Sequence, residues 1–303
     1  MGVKINVQDL PLYSIFIACI VFALKYLAYH ITGSVALYSD ALESVVNILS
    51  AFAMWLAIKV SLKPADQNHP YGHHKAEYFS AILEGTLIIV AAVMILREAW
   101  MALSAVELSL QEPGIWLVIH FVASIINCVW GWVLIRQGKI QRSPALKADG
   151  THFIADFFTS LGILIGLITA FFGKLAILDP ILAIIVAINI FFQGGKVIHD
   201  AIQGLMDVGV ELSETIRIRN LISANANGAL EVHDLRTRVA GRVIFIEFHL
   251  VVPATMQVGE AHQICDKIES ALEEEFDNVR TSIHVEPENE IKSPPRTTVT
   301  PST

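Results

Sequence analysis

Charge is scarce in this chain: Asp, Glu, Lys and Arg make up 17% of its 303 residues, against about 25% in ordinary soluble domains. With 54% of residues hydrophobic, that shortage excludes a soluble globular protein over most of the length and points to a membrane protein. Cysteine is scarcer still. Cys19, Cys128 and Cys265 stand far apart with no CxxC pair, which excludes a disulfide framework and a thiolate zinc site. No HExxH occurs, so an intramembrane metalloprotease lacks its signature. The first residues are polar and the first apolar run is full length, so no cleavable signal peptide is expected. The formal net charge of −8 is unevenly placed, because most of the acid follows Asp207, from Glu211 and Glu214 to Glu286, Glu288 and Glu290. That suits a soluble, cation-tolerant segment and argues against a nucleic-acid partner.

What is present is a series of long apolar runs at residues 12–30, 35–60, 79–103, 115–135, 153–172 and 175–198. Each is long enough to cross a bilayer core of roughly 30 Å. Six spans place both termini on one side, and basic residues choose the side. Lys4, Lys59, Lys63, Lys75, Arg136, Lys139, Arg142, Lys147 and Lys196 fall together. The opposite side offers Lys174 against Glu107, Glu112 and Asp179. Both ends are therefore expected in the cytoplasm.

Beyond Asp207 the pattern changes. Residues 213–227 have helical spacing, residues 232–240 and 242–252 alternate as strands about Ala240-Gly241, residues 259–276 form a second amphipathic helix, and residues 279–285 a third strand. The order α-β-β-α-β predicts a small two-layer α+β domain. Three segments follow: a transport domain at 1–206, a soluble domain at 207–290, and a Pro- and Thr-rich tail at 291–303 expected to be disordered.

Two of the apolar runs carry groups that do not suit lipid. His152 and Asp156 are four apart, on one helix face. Asp40, Glu43 and Asn47 share a stripe in the second run, with Ser44 beside it. Ionisable groups inside a membrane turn toward the protein interior and pair or bind something. If the two stripes meet, Glu43, Asn47, His152 and Asp156 make a four-ligand N/O set that suits tetrahedral Zn²⁺ and tolerates Fe²⁺, Co²⁺ or Mn²⁺. Asp40 is a spare ligand or a helix-packing acid, with a place behind the ligands preferred. Asp66, His69 and His73 lie in a polar loop with Pro70 and Gly72, spaced to hold one cation. Glu77, Glu84, Arg97 and Glu98 are read as packing and interfacial residues, and His120 as a core or pore-side histidine without a matching partner. Asn68 and His74 are read as solvated.

These segments, GSVALYSDALESVVN at 33–47, PADQNHPYGHHKAE at 64–77, ADGTHFIAD at 148–156 and HDLRTR at 233–238, resemble the cation diffusion facilitator family of divalent-metal/proton antiporters. The resemblance spans nearly the whole chain. It implies an α-helical membrane protein with six transmembrane helices, a cytoplasmic metallochaperone-like α+β domain, and a homodimer. It implies transport of Zn²⁺, or of Fe²⁺, Co²⁺, Mn²⁺ or Cd²⁺, out of the cytoplasm in exchange for protons, in a bacterial inner membrane. No enzymatic activity is expected. The transport site falls by resemblance on Glu43, Asn47, His152 and Asp156. A second metal site falls on Asp66, His69 and His73, and a binuclear cytoplasmic site on His233, His249, His262, His284 and Glu286. Lys75 and Asp207 match positions that interlock charges where the two domains meet. The chain departs from the family at Glu43, where Asp or His is usual, at Asn47, where Asp is usual, and at Glu286, where Asp is common. Asn47 leaves the transport set with two carboxylates rather than three. That departure keeps open a non-transporting, metal-sensing dimer partner. An intramembrane metalloenzyme is disfavoured, since Asn47 is no base.

Overall fold

The computed structural model describes residues 7–32, 35–104, 114–172 and 178–291. Glu107, Glu112, Lys174 and the tail from 292 onward lie outside the described residues. The chain divides into two compact units between Ile202 and Gln203.

The first unit is built from six helices: α1 (Leu10–Thr32), α2 (Val35–Ser61), α3 (Ala76–Ser104), α4 (Ile115–Ile140), α5 (Pro144–Phe172) and α6 (Leu178–Leu205). The shortest has 23 residues, which at about 1.5 Å per residue exceeds a bilayer core. Four, α1 to α4, are apolar enough as well as long enough to span, among the described residues. α5 is diluted by Lys147, Asp149, His152 and Asp156 in its first half.

α5 also starts earlier than the apolar run at 153 suggests. Ser143 caps it, its Oγ accepting from Leu146 N–H at 3.3 Å, and Pro144 takes the first helical position, where a missing N–H costs nothing. The turn before it is tight, with Arg142 at φ 52°. Glycines set the spacing of this hairpin. A Cβ on Gly131 of α4 would stand 2.8 Å from the Gly150 carbonyl oxygen, and one on Gly150 would stand 2.8 Å from that of Gly131. Small residues allow such backbone approach in helical membrane bundles, and here they seat the α5 turn that carries His152.

The second unit follows the expected order: α7 (Leu212–Asn225), β1 (Glu231–Ala240), β2 (Val243–Val252), α8 (Val258–Glu275) and β3 (Val279–Pro287). The sheet order is β1-β2-β3, with β1 antiparallel and β3 parallel to β2. Ile244, Ile246, Phe248, Leu250 and Val252 alternate along one face of β2 and pack with Ile218 and Ile222 of α7 and Ile264, Ile268 and Leu272 of α8. The odd-numbered residues of β2 therefore point away from the helices. A Gln257–Glu260 capping box starts α8, satisfying its first free N–H groups.

Candidate metal centres

In the six-helix unit, the two polar stripes meet. Asn47 Nδ2 of α2 donates to Asp156 Oδ2 of α5, and His152 Nε2 lies 3.7 Å from Asp156 Oδ1. Asn47, His152 and Asp156 are all buried. Asn47 Oδ1 has no hydrogen-bond partner and is the atom with which a neutral amide could ligate a cation. Glu43 is near without touching. It lies within electrostatic reach of Asp156 and His152, and its Oε1 is buried and unpartnered. Three of the four expected residues are thus brought into one cluster, and Glu43 flanks it.

Glu84 corrects the sequence reading. Taken for a packing residue, it is fully buried and faces His152 Nδ1 at 2.7 Å. A carboxylate only accepts, so Nδ1 carries the hydrogen and Nε2 is left as the lone-pair nitrogen turned toward Asp156. A carboxylate behind a ligating imidazole fixes its tautomer and raises its basicity. Glu84 also returns a third carboxylate to a site that Asn47 leaves with two. The signal available in the sequence was its place in an apolar run. Of the two alternatives for Asp40, its contacts are those of a helix-packing acid: it is bonded to Lys25 Nζ of α1 at 2.9 Å and to Ser160 Oγ of α5 at 3.1 Å. Lys25, fully buried in α1, escaped the sequence reading. Glu77 accepts from Ser61 Oγ at 2.8 Å and from Ser143 Oγ, tying the loop ends of α2, α3 and α5.

The polar loop closes on itself. Asp66 Oδ1 accepts from the backbone N–H of His69 at 2.7 Å and of Asn68 at 2.9 Å, and Gly72 turns the chain at φ +84°, a conformation open to glycine. The rings of His69 and His73 come to 4.3 Å between centroids, and one ligand atom each from Asp66, His69 and His73 falls within 4.8 Å of the others. The His69 N–H, above all, holds the Asp66 carboxyl below its ordinary value, so it is anionic and available to a cation. His74 is half-buried, its ring lying over Gly72, which corrects the reading of it as solvated.

In the second unit, register does the assembling. His233 pairs with His249 across β1–β2, and His249 with His284 across β2–β3, so three imidazoles stand abreast. Glu286, two residues past His284 and hence on the same face, reaches His249 Nδ1 at 2.8 Å, His233 Nε2 at 3.2 Å and His284 Nε2 at 3.8 Å. His233, His249 and Glu286 all keep ring nitrogens or an oxygen without an aligned hydrogen bond despite this proximity. Lone pairs crowded together without hydrogen bonds are what a bound cation would satisfy. Two further groups went unread in the sequence. Glu231 lies 3.1 Å from His233 Nδ1. Asp234, at φ 52° in an irregularity of β1, joins His233 and His249 in a second convergent set. His262 does not join within the chain. It is 73% exposed on α8, facing Asp266 at 3.6 Å, because α8 packs on the opposite face of the sheet. Asp207 pairs with Arg238 at 3.4 Å and Lys75 belongs to the other unit, so the expected interlock is not a feature of either unit alone.

The cation efflux transmembrane domain matches residues 12–206, and the cation efflux protein cytoplasmic domain matches residues 212–288. The chain belongs to the cation diffusion facilitator family. This cation diffusion facilitator is 38% identical to the uncharacterized transporter sll1263 of Synechocystis over 280 residues, covering 92% of this chain and 90% of that one. It is 31% identical to the cation-efflux pump FieF of Pectobacterium atrosepticum over 274 residues, 89% of each. The solved structure of CzrB in its zinc form is 49% identical, covering 28% of this chain and 96% of that one at a TM-score of 0.27. As a cation diffusion facilitator, the chain is a multi-pass integral membrane transporter of metal cations, in a family of transporters and not of enzymes.

Proposed function

We propose that this protein exports a divalent transition metal, Zn²⁺ foremost, from the cytoplasm in exchange for protons, working as a homodimer in a bacterial inner membrane with both termini cytoplasmic. The observation that carries the reading is the buried meeting of Asn47, His152 and Asp156, flanked by Glu43, with Glu84 bonded behind the imidazole. Imidazole favours zinc and iron, while an all-oxygen set would favour manganese. Fe²⁺, Co²⁺, Mn²⁺ and Cd²⁺ are the competing cargoes. Coupling to protons follows from ligand chemistry: an imidazole must be deprotonated and a carboxylate ionised to hold the metal, so metal and protons displace one another. Glu43, flanking the cluster with an unpartnered oxygen, would supply a second carboxylate to the cation.

Asp66, His69 and His73 serve as a cytoplasm-facing site for cation capture or regulation. His233, His249, His284 and Glu286 would hold zinc that reports cytosolic metal and stabilises the dimer. The domain at 207–290 is the seat of that second role, and the residues from 1 to 206 carry transport. Flux of Zn²⁺ driven by a pH gradient into proteoliposomes, compared for the wild type and His152→Ala, tests the proposal. Loss of coupled flux in the variant is expected; undiminished coupled flux rejects it. Competition by the other four ions in the same vesicles settles the cargo.

A further inference from the structure

A second polar cluster lies between α1, α2, α4 and α5, and none of its members is in the metal-ligand set. Lys25, Asp40, His120 and Ser160 are each sealed from solvent, at 1% exposure or less. Asp40 Oδ1 is taken up by Lys25 Nζ and Ser160 Oγ. His120 Nε2 lies 3.1 Å from the carbonyl oxygen of Ser160. A carbonyl has no hydrogen to give, so Nε2 is the protonated nitrogen of that ring. The other nitrogen, Nδ1, faces Asp40 Oδ2 at 3.6 Å, and neither atom has a hydrogen-bond partner among the described residues. Two lone pairs face each other in a dry interior, where an unsatisfied polar contact is costly. A single proton converts that repulsion into a charge-assisted contact, and imidazole accepts one near neutral pH.

We propose that His120 Nδ1 and Asp40 Oδ2 form a proton-binding site, distinct from the metal ligands and coupled to them through Lys25. The charged groups acting on His120 are Lys25 on α1 and Asp40 on α2; Glu43 on α2 and Asp156 on α5 act on Lys25. The Lys25 ammonium is the link, bonded to Asp40 and within electrostatic reach of Asp156 and Glu43. A proton on Nδ1 makes His120 a second cation on Asp40, which then no longer neutralises Lys25 alone. The surplus positive charge acts on any divalent ion held at Glu43 and Asp156. In a low-dielectric interior that repulsion is weakly screened. Proton binding here therefore opposes metal binding there, which is the direction that exchange requires. The coupling rests on the proton-exchange reading; the proton site does not.

Full-length protein in nanodiscs, with ¹⁵N-labelled histidines and no metal, tests the site itself. Between about pH 5 and about pH 9, the His120 Nδ1 resonance, assigned by its loss in His120→Gln, is expected to pass from lone-pair to protonated. In Asp40→Asn its protonated fraction at a given pH is expected to fall. A single protonation state throughout, or a titration indifferent to Asp40→Asn, overturns the proposal; His120→Asn supplies the assignment if His120→Gln fails to fold, and the assigned wild-type titration decides if Asp40→Asn fails to fold. A Zn²⁺ flux series then tests the coupling. His120→Gln is expected to bind Zn²⁺ within about twofold of the wild type and to show a flattened dependence of flux on pH. An unaltered pH profile beside intact wild-type flux overturns the coupling. Wild-type vesicles without zinc-driven proton movement would instead remove the exchange reading and leave the ¹⁵N result standing.

Discussion

The bundle cluster around His152 and the strand cluster around Glu286 use the same side chains under opposite conditions. Along the strands, three histidines surround one carboxylate and water reaches the rim: His284 is 68% exposed and His249 34%. Surplus charge there is tolerated by solvent. Within the bundle, three buried ionisable groups are each held by a close neighbour, while Glu43 Oε1 stands without one. His152 leans on Glu84, Asp156 on Asn47, and Asp40 on Lys25. Desolvation explains the difference, since an uncompensated charge away from water costs several kcal/mol in practice. A site among strands can be built by register alone. A site among spanning helices must bring its own counter-charges, and Lys25 and Glu84 supply them.

The contrast can be broken most directly at Asp156. Asp156→Ala should reduce zinc flux by more than about 100-fold, because partners standing merely behind a ligand already cost 10–100-fold; flux within tenfold of the wild type would show that ligation lies elsewhere. Glu84→Gln should weaken zinc binding in the bundle by about 10–100-fold, measured by equilibrium dialysis, and leave zinc binding at the strand cluster unchanged. Glu286→Ala should reverse that pattern, removing strand-cluster zinc while coupled flux falls by less than about tenfold. A larger loss of flux would mean that the two sites are not separable. Phe248→Ala removes a side chain 1% exposed in the second unit's core and should cost that unit about 3–5 kcal/mol. Its effect should appear in a separate thermal transition while bundle zinc affinity holds. The smallest effect belongs to the loop. Because the carboxyl of Asp66 is held below its ordinary value of 3.8, its contribution to loop order is present above that value and lost as pH falls through the lower folded one. The ¹³C carboxyl shift of Asp66 should therefore titrate below that of a model Asp, and coincidence with the model would remove the loop's hydrogen bonds from solution.

Much of the fold was legible because its signals are local. The alternation that marks β1, β2 and β3 placed them within a few residues of their observed bounds, and the long apolar runs marked the helices. α5 was misread at its start, where Ser143-Pro144 is a capping signal that an apolar count passes over. The metal candidates were partly legible, since His152 and Asp156 share a face by spacing alone, and Asp66, His69 and His73 share a loop. Glu84 was not, because nothing within α3 shows what its carboxylate faces across the bundle. His262 was grouped with the strand histidines by family resemblance; within this chain it stands on the layer behind the sheet.

By itself the sequence determined a multi-span helical unit, an acidic α+β unit after it, and which residues could hold a cation. Hydrophobic period and ligand spacing are properties of one element at a time, so they survive without coordinates. Only the tertiary structure decided which carboxylate answers which cation. Lys25 takes Asp40, Glu84 takes His152, and His120 is left facing an unshared oxygen. Those pairings join residues on different helices, more than a dozen positions apart in sequence, and the low dielectric between them is what makes each pairing count.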